Sequence, residues 1–161
     1  AADMEPSNNA VLYHNTPMGL LRLCANDSGV CGVYFVKHPA QAPEPPDNDL
    51  LRRTARELDE YFAGQRRTFD LPLSPHGTAF QMRVWAALRQ IPYGETRSYA
   101  QVAAMAGNAK ACRAVGMANH RNPISILIPC HRVINADGGL GGYGGGLDNK
   151  RFLLQLEKGS L

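Results

Sequence analysis

The chain has 161 residues, 44% of them hydrophobic, and carries 17 Lys and Arg against 14 Asp and Glu, a formal charge of +3. That length suits one ordinary domain or two small ones; the apolar fraction excludes a disordered chain, and no run of about twenty apolar residues exists to cross a membrane as a helix. A small positive surplus admits nucleic acid as a partner without requiring it, because phosphate binding depends on where the cations cluster.

In chain order, Ala1-Ala2-Asp3 before Met4 reads as an added leader and is set apart from the fold. Residues Val11 to Val36 read as an antiparallel meander, with turns at Thr16-Pro17-Met18-Gly19 and Asn26-Asp27-Ser28-Gly29. Four prolines between His38 and Asn48 predict a surface loop. Asp49 is placed to cap a helix bearing Leu50, Leu51, Thr54, Leu58, Tyr61 and Phe62, with Gly64 to end it. Arg52, Arg53 and Arg56 on that helix fit either a solvated face or a phosphate patch. Gln65 to Pro75 reads as a link into a second domain, with a short strand at Thr68 to Leu71.

From Gly77 helices dominate. Thr78-Ala79-Phe80-Gln81 has the form of a capping box and opens a helix with Phe80, Val84, Trp85 and Leu88 inward. Ser98-Tyr99-Ala100-Gln101 repeats the device for a short helix ending at Gly107, and Asn108 is placed to cap a third through about Ala118. Two short helices about a Gly-Asn turn make a helix-turn-helix candidate. The third is poor in large side chains, with Ala109, Ala111, Ala114, Gly116 and Ala118. Close packing in the core explains that, and so does close approach to a DNA groove, with Arg113 inserted among the bases.

Asn122-Pro123 turns the chain into Ile124 to Ile128, read as a strand that delivers Pro129-Cys130-His131-Arg132-Val133. A thiol attacks as its thiolate, so it needs neighbours that lower its pKa or take its proton, and His131 and Arg132 are of that kind. Strand neighbours face opposite sides. His131 therefore serves Cys130 only if the chain turns at Pro129, or through a bridging water. A buried, inert cysteine closing a core strand is the competing reading.

Beyond Val133-Ile134, Asn135 to Gly139 turns back as a small wing would, and Gly138 to Gly146 holds seven glycines without the Lys-Ser/Thr ending of a phosphate-binding P-loop. Asp148 is placed to cap a last helix with Phe152, Leu153 and Leu156 inward and Glu157 near its end. The four cysteines, Cys24, Cys31, Cys112 and Cys130, with no secretory leader, fit a reduced, cytoplasmic protein. Cys24 and Cys31 with His14 and His38 raise zinc, but six residues separate the cysteines, wider than the usual two to about four, and no metal site is expected.

Pro129-Cys130-His131-Arg132-Val133, with Arg113-Ala114-Val115-Gly116, Asn122-Pro123, Gly142-Tyr143 and Gly145-Gly146, resembles the active-site signature of the O6-alkylguanine-DNA alkyltransferases. The likeness runs from about Gly77 to Glu157 and is weak before Phe62. It implies an α+β fold: a supporting domain over 1–75, a small antiparallel sheet with a helix (ribonuclease H-like), and a mostly helical, winged-helix-like domain over 76–161 that binds DNA and carries the chemistry. The implied activity is irreversible transfer of an alkyl group from O6-alkylguanine, and from O4-alkylthymine, in double-stranded DNA to Cys130.

The roles follow residue by residue from the same resemblance. His131 takes the Cys130 proton through a water, Glu157 orients the imidazole, Asn122 buttresses the turn, and Tyr99 donates to the guanine ring. Arg113, Ala111, Ala114, Gly116, Thr96 and Ser98 contact DNA through the minor groove, while Val133, Tyr143, Gly144 and Met117 wall the base pocket. Ser125, Asn119 and Gly144 fall where relatives vary in bulk, which leaves the tolerated alkyl size open. The resemblance implies a monomer that uses no cofactor. Two other readings compete: a cysteine hydrolase, which would leave the helix-turn-helix unexplained, and a non-catalytic damage-sensing module, which would need no cysteine.

Overall fold

The computed structural model describes residues 9–37 and 44–159. Ala1-Ala2-Asp3, read above as added, and the first part of the expected His38 to Asn48 loop lie outside them; residues 44–48 are irregular. The chain forms two compact units, Ala1–Pro75 and His76–Leu161. The architecture is α+β, a three-stranded antiparallel sheet with a helix in the first unit and a mostly helical second unit. None of the described helices is long and apolar enough to cross a membrane.

In the first unit β1 (Ala10–Thr16), β2 (Gly19–Asn26) and β3 (Gly29–Phe35) form the expected meander, in sheet order β1-β2-β3. Alternation puts Leu21, Leu23 and Val33 on the covered face, where helix α1 (Asp49–Phe62) packs. The helix answers with Leu51, Thr54, Leu58 and Tyr61, spaced three and four apart. Burying a leucine is worth about 1.5–3 kcal/mol, so Leu51 and Leu58 alone go far to fix the helix on the sheet. Its cap is Asn48, whose side chain accepts from the Leu51 amide; Asp49 sits in the first turn.

The expected strand at Thr68 to Leu71 does not form. Glu57, almost fully buried, accepts from the Asp70 amide at 3.0 Å, and Arg53 donates to the Asp70 carbonyl, so that backbone is committed to α1. Pairing occurs later, in a parallel bridge between Val30 and Leu73. There the chains approach so closely that a Cβ on Gly29 would lie 2.5 Å from the Pro72 carbonyl oxygen, which makes glycine obligatory. Two of the three arginines read on α1 are also spoken for: Arg52 pairs with Asp47 and Asp49, and Arg53 with Glu57 and Asp70. An ion-paired face describes Arg52 and Arg53 better than a phosphate patch.

The second unit starts with α2 (Ala79–Leu88) and continues to α3 (Tyr99–Met105), each opened by the expected capping box, from Thr78–Gln81 and Ser98–Gln101. Val84, Trp85 and Leu88 are buried, while Phe80 is only half-buried. Helix α4 (Cys112–His120) starts later than Asn108 predicts. The Asn108 side chain accepts from the Lys110 amide and its carbonyl from the Ala111 amide, so residues 108–111 close a turn.

Ile124 to Ile128 is not a strand. The run folds on itself: Ile128 donates to the Ile124 carbonyl, Leu127 to that of Ser125, and Ile126 adopts a left-handed φ of 71°. That conformation costs a β-branched residue about 1–2 kcal/mol, against about 1.5–3 kcal/mol from its burial, and Ile126 is 1% exposed. Burial wins by a small margin. The loop leads into a 3-10 turn, Cys130–Arg132, and strand β5 (Val133–Ile134), which pairs in parallel with β4 (Arg97–Ser98). Asn135 to Gly139 closes a turn, but among the described residues no strand returns to complete a wing hairpin. Helix α5 (Leu147–Glu157) is capped by Gly146 without a side-chain bond; Asp148 lies in its first turn and pairs with Arg151. Leu153 is buried, Phe152 and Leu156 half-buried.

Candidate active site

Pro129 leads into a 3-10 turn in which Cys130, His131 and Arg132 are all buried, so the run is not the extended strand in which neighbours face opposite sides. Cys130 is 4% exposed. Its backbone is gripped by α4, because Asn119 Nδ2 donates to the Cys130 carbonyl at 3.2 Å. Asn122 ties the loop beneath, with Nδ2 on the Ile128 carbonyl at 2.8 Å and Oδ1 accepting from the Ile124 amide at 3.0 Å, and it also hydrogen-bonds to Cys130.

His131 is fully buried, and its Nε2 lies 2.7 Å from Glu157 Oε2. Arg132 binds the same carboxylate twice, Nε to Oε1 at 2.8 Å and Nη2 to Oε2 at 2.9 Å, and sends Nη1 to the Ile91 carbonyl at 2.7 Å. Burial by itself would raise the Glu157 carboxyl, but the hydrogen bonds and charges of His131 and Arg132 outweigh it and hold the group well below the carboxylate range. Glu157 is thus an anion, and the imidazole must donate to it. Burial lowers His131 below its ordinary value despite Glu157, so the ring is neutral at pH 7, with Nδ1 free to accept a proton.

Burial pushes the Cys130 thiol up to about 11, against the opposing effects of Asn122 and of Lys150. The resting sulfur is therefore a thiol, and its proton must be removed as it reacts. Lys150 is buried with its ammonium on the Val133 carbonyl at 2.5 Å and the Gly142 carbonyl at 3.0 Å; burial brings it down to about 8, so it keeps its charge at neutral pH. That charge near the sulfur favours the thiolate. Tyr99 is half-buried, hydrogen-bonded to the Gly142 backbone, and raised by burial, so its phenol retains its proton. The same glycine-rich loop brings in Tyr143, which is raised well above its usual value by burial.

The candidate DNA-contacting residues fall elsewhere on the unit. Along α4, Val115, Ala118 and Asn119 face inward, while Arg113, Ala114 and Met117 are exposed and Ala111 and Gly116 half-buried. The small-residue face is thus open to solvent and is not consumed by core packing. Thr96 and Ser98 are half-buried beside α3, where the Ser98 hydroxyl is occupied in its capping box. Val133 is buried, with its carbonyl held by Lys150, and Gly144 lies against the His120 carbonyl.

Three contributors are not evident from the sequence in the parts they play. Arg132 faces Glu157, not the thiol it is expected to activate; Lys150 carries no motif, and Asn119 reads only as a position of variable bulk. Lys150, Leu153 and Glu157 recur at helical spacing on one face of α5, so a lysine on an inward face is the available signal. Among the described residues no three His, Cys, Asp or Glu side chains group as a metal site requires.

Two family models match the chain: the DNA binding domain of 6-O-methylguanine DNA methyltransferase over residues 79–159, and its ribonuclease-like domain over residues 11–75. The chain is 50% identical over 147 residues to the methylated-DNA–protein-cysteine methyltransferase of Methanosarcina acetivorans, covering 88% of this chain and 94% of that protein. It is 48% identical over 147 residues to its namesake from Mycobacterium leprae, covering 89% of each. The crystal structure of Mycobacterium tuberculosis OGT in complex with DNA superposes with a TM-score of 0.83 at 44% identity, covering 94% of this chain and 93% of that one.

Proposed function

The chain belongs to the 6-O-methylguanine DNA methyltransferase family, and from that premise we propose that it repairs DNA by moving the alkyl group of O6-alkylguanine, and of O4-alkylthymine, onto its own Cys130. The observation that carries this reading is the cluster of buried Cys130, His131 and Glu157 with half-buried Asn122 within the DNA-binding unit. An alkyl carbon on the exocyclic oxygen is electrophilic, but the guanine leaves poorly unless it receives a proton. Cys130 supplies the nucleophile and His131 its base. Glu157 holds the imidazole in the accepting tautomer and stabilises the cation it becomes. The Tyr99 phenol, still protonated, donates to the departing ring.

A base inside a duplex cannot reach a buried sulfur, so the substrate nucleotide is flipped out of the stack. The exposed α4 face, with Ala111, Ala114 and Gly116, suits a minor groove, and Arg113 takes the place vacated by the base. Thr96 and Ser98 flank that approach. Val133, Tyr143, Gly144 and Met117 bound the pocket. The protein acts as a monomer, in the cytoplasm.

The S–C bond formed is a thioether, which thiol exchange cannot undo, so each molecule reacts once. Incubation with duplex DNA carrying radiolabelled O6-methylguanine tests the whole reading: label should reach the protein and stop at one equivalent. Turnover beyond that, or no transfer, rejects it, and Cys130→Ser should bind DNA without accepting label.

A further inference from the structure

Two buried acceptors on residues joined to Cys130 lack a protein donor: Asn119 Oδ1, whose partner Nδ2 holds the Cys130 carbonyl, and Nδ1 of the adjoining His131 meet no hydrogen-bonding group among the described residues. Neither can be reassigned. Flipping the Asn119 amide would turn its oxygen onto the Cys130 carbonyl, which Nδ2 now serves at 3.2 Å. On the ring, Nε2 donates at 2.7 Å to a carboxylate that Arg132 also grips, so the neutral imidazole leaves Nδ1 a lone pair. Two acceptors cannot satisfy each other. A small molecule with two donor hydrogens can serve both, and water is the available one.

We propose that Asn119 is a positioning residue for alkyl transfer: its Oδ1 takes one hydrogen of a water whose other hydrogen points at His131 Nδ1 and whose oxygen faces the Cys130 S–H. The inference rests on the function proposed above. In the step, the S–H proton passes to the water oxygen as a water hydrogen passes to Nδ1; sulfur keeps the bonding pair as thiolate, the ring becomes imidazolium beside Glu157, and water is regenerated. The titratable groups facing this pair are Glu157 and Lys150 from α5, Arg132 from the same turn, Tyr99 from α3 and Tyr143 from the glycine-rich loop. None of them hydrogen-bonds to either orphan acceptor. With the Cys130 thiol at about 11, neutral-pH reaction depends on such a relay.

Single-turnover transfer from labelled duplex DNA, followed from neutral pH up to the thiol's own range, tests the assignment. Asn119→Leu, similar in shape but unable to accept, should slow transfer at neutral pH by roughly 100-fold, the lower end of what a positioned base supplies. The deficit should shrink as hydroxide generates thiolate directly. Asn119→Ser, which keeps an oxygen acceptor, should lose less, and in a His131→Ala background neither change should add to the loss. A deficit equal at every pH, or one additive with His131→Ala, would overturn the proposal and leave Asn119 a backbone brace for Cys130. Thermal melting checks folding; if the leucine variant fails to fold, the serine variant in both backgrounds decides. Wild type that accepts no label would instead sink the parent reading.

Discussion

Arg132 holds both oxygens of the Glu157 carboxylate from inside the protein, at 2.8 and 2.9 Å, while Glu157 also receives the hydrogen bond of His131. Removing one partner of a buried pair strands the other charge, which costs about 3–5 kcal/mol, several times the value of an exposed pair. Arg132→Met should lose that much in urea unfolding, followed through Trp85, the sole tryptophan, buried in the second unit. A loss under about 1 kcal/mol would mean that water screens the pair as it does at a surface.

Acid should reveal the same carboxylate. Its folded value lies far below the ordinary 4.5, so its stabilisation is complete above pH 4.5 and is lost as pH falls through the depressed value. The difference in unfolding free energy between wild type and Glu157→Gln should therefore hold steady down to about 4.5 and close only in stronger acid. A gap already closing at neutral pH would contradict the depressed value.

Thiol reactivity should rank by exposure and charge. Cys112 is exposed, whereas Cys24, Cys31 and Cys130 are buried, and Cys130 is pushed up to about 11. Iodoacetamide at neutral pH should label Cys112 first, as read by peptide mass mapping, with Cys130 catching up as pH rises toward that value. Equal rates at neutral pH would show a preformed thiolate.

Gly141 lies at a φ of +69°, and a Cβ there would sit 2.7 Å from the Tyr99 hydroxyl; Gly138, at +89°, has open space around it. Alanine at either position costs about 1–2 kcal/mol for the left-handed backbone. Only Gly141→Ala should also slow transfer, by displacing Tyr99. Equal rates in the two variants would remove Tyr99 from the reaction.

On the proposed insertion role, exposed Arg113 acts only where a base leaves its stack, so Arg113→Ala should impair transfer from a duplex more than attack on the free modified base. Equal losses would count against insertion.

Legibility followed the range of the interactions. Capping boxes at Thr78 and Ser98, the meander turns and the apolar stripe of α1 are set by residues a few positions apart, and they formed as read. Caps assigned to Asp49 and Asn108 slipped because a neighbouring residue or a competing turn took the amide in question, and Asp148 falls inside its helix, which starts after Gly146. The apolar run Ile124 to Ile128 has strand composition, yet Asn122 satisfies its amide and carbonyl from a single side chain, and the run needs no partner strand. Cys130, His131 and Glu157 were legible through family likeness, whereas Arg132, Lys150 and Asn119 owe their places to contacts across 25, 17 and 11 residues.

The left-handed turn at Ile126 has a practical corollary for anyone altering this protein. Cys130 stands on a plug of hydrocarbon and not on a β-ladder, so beside the Asn119 and Asn122 hydrogen bonds its position is registered by the shapes of Ile124, Ile126 and Ile128. Interiors transmit changes of a single methylene. Conservative swaps beneath the sulfur will thus read out as changed chemical competence before they read out as unfolding, and libraries that spare every polar residue can still abolish repair.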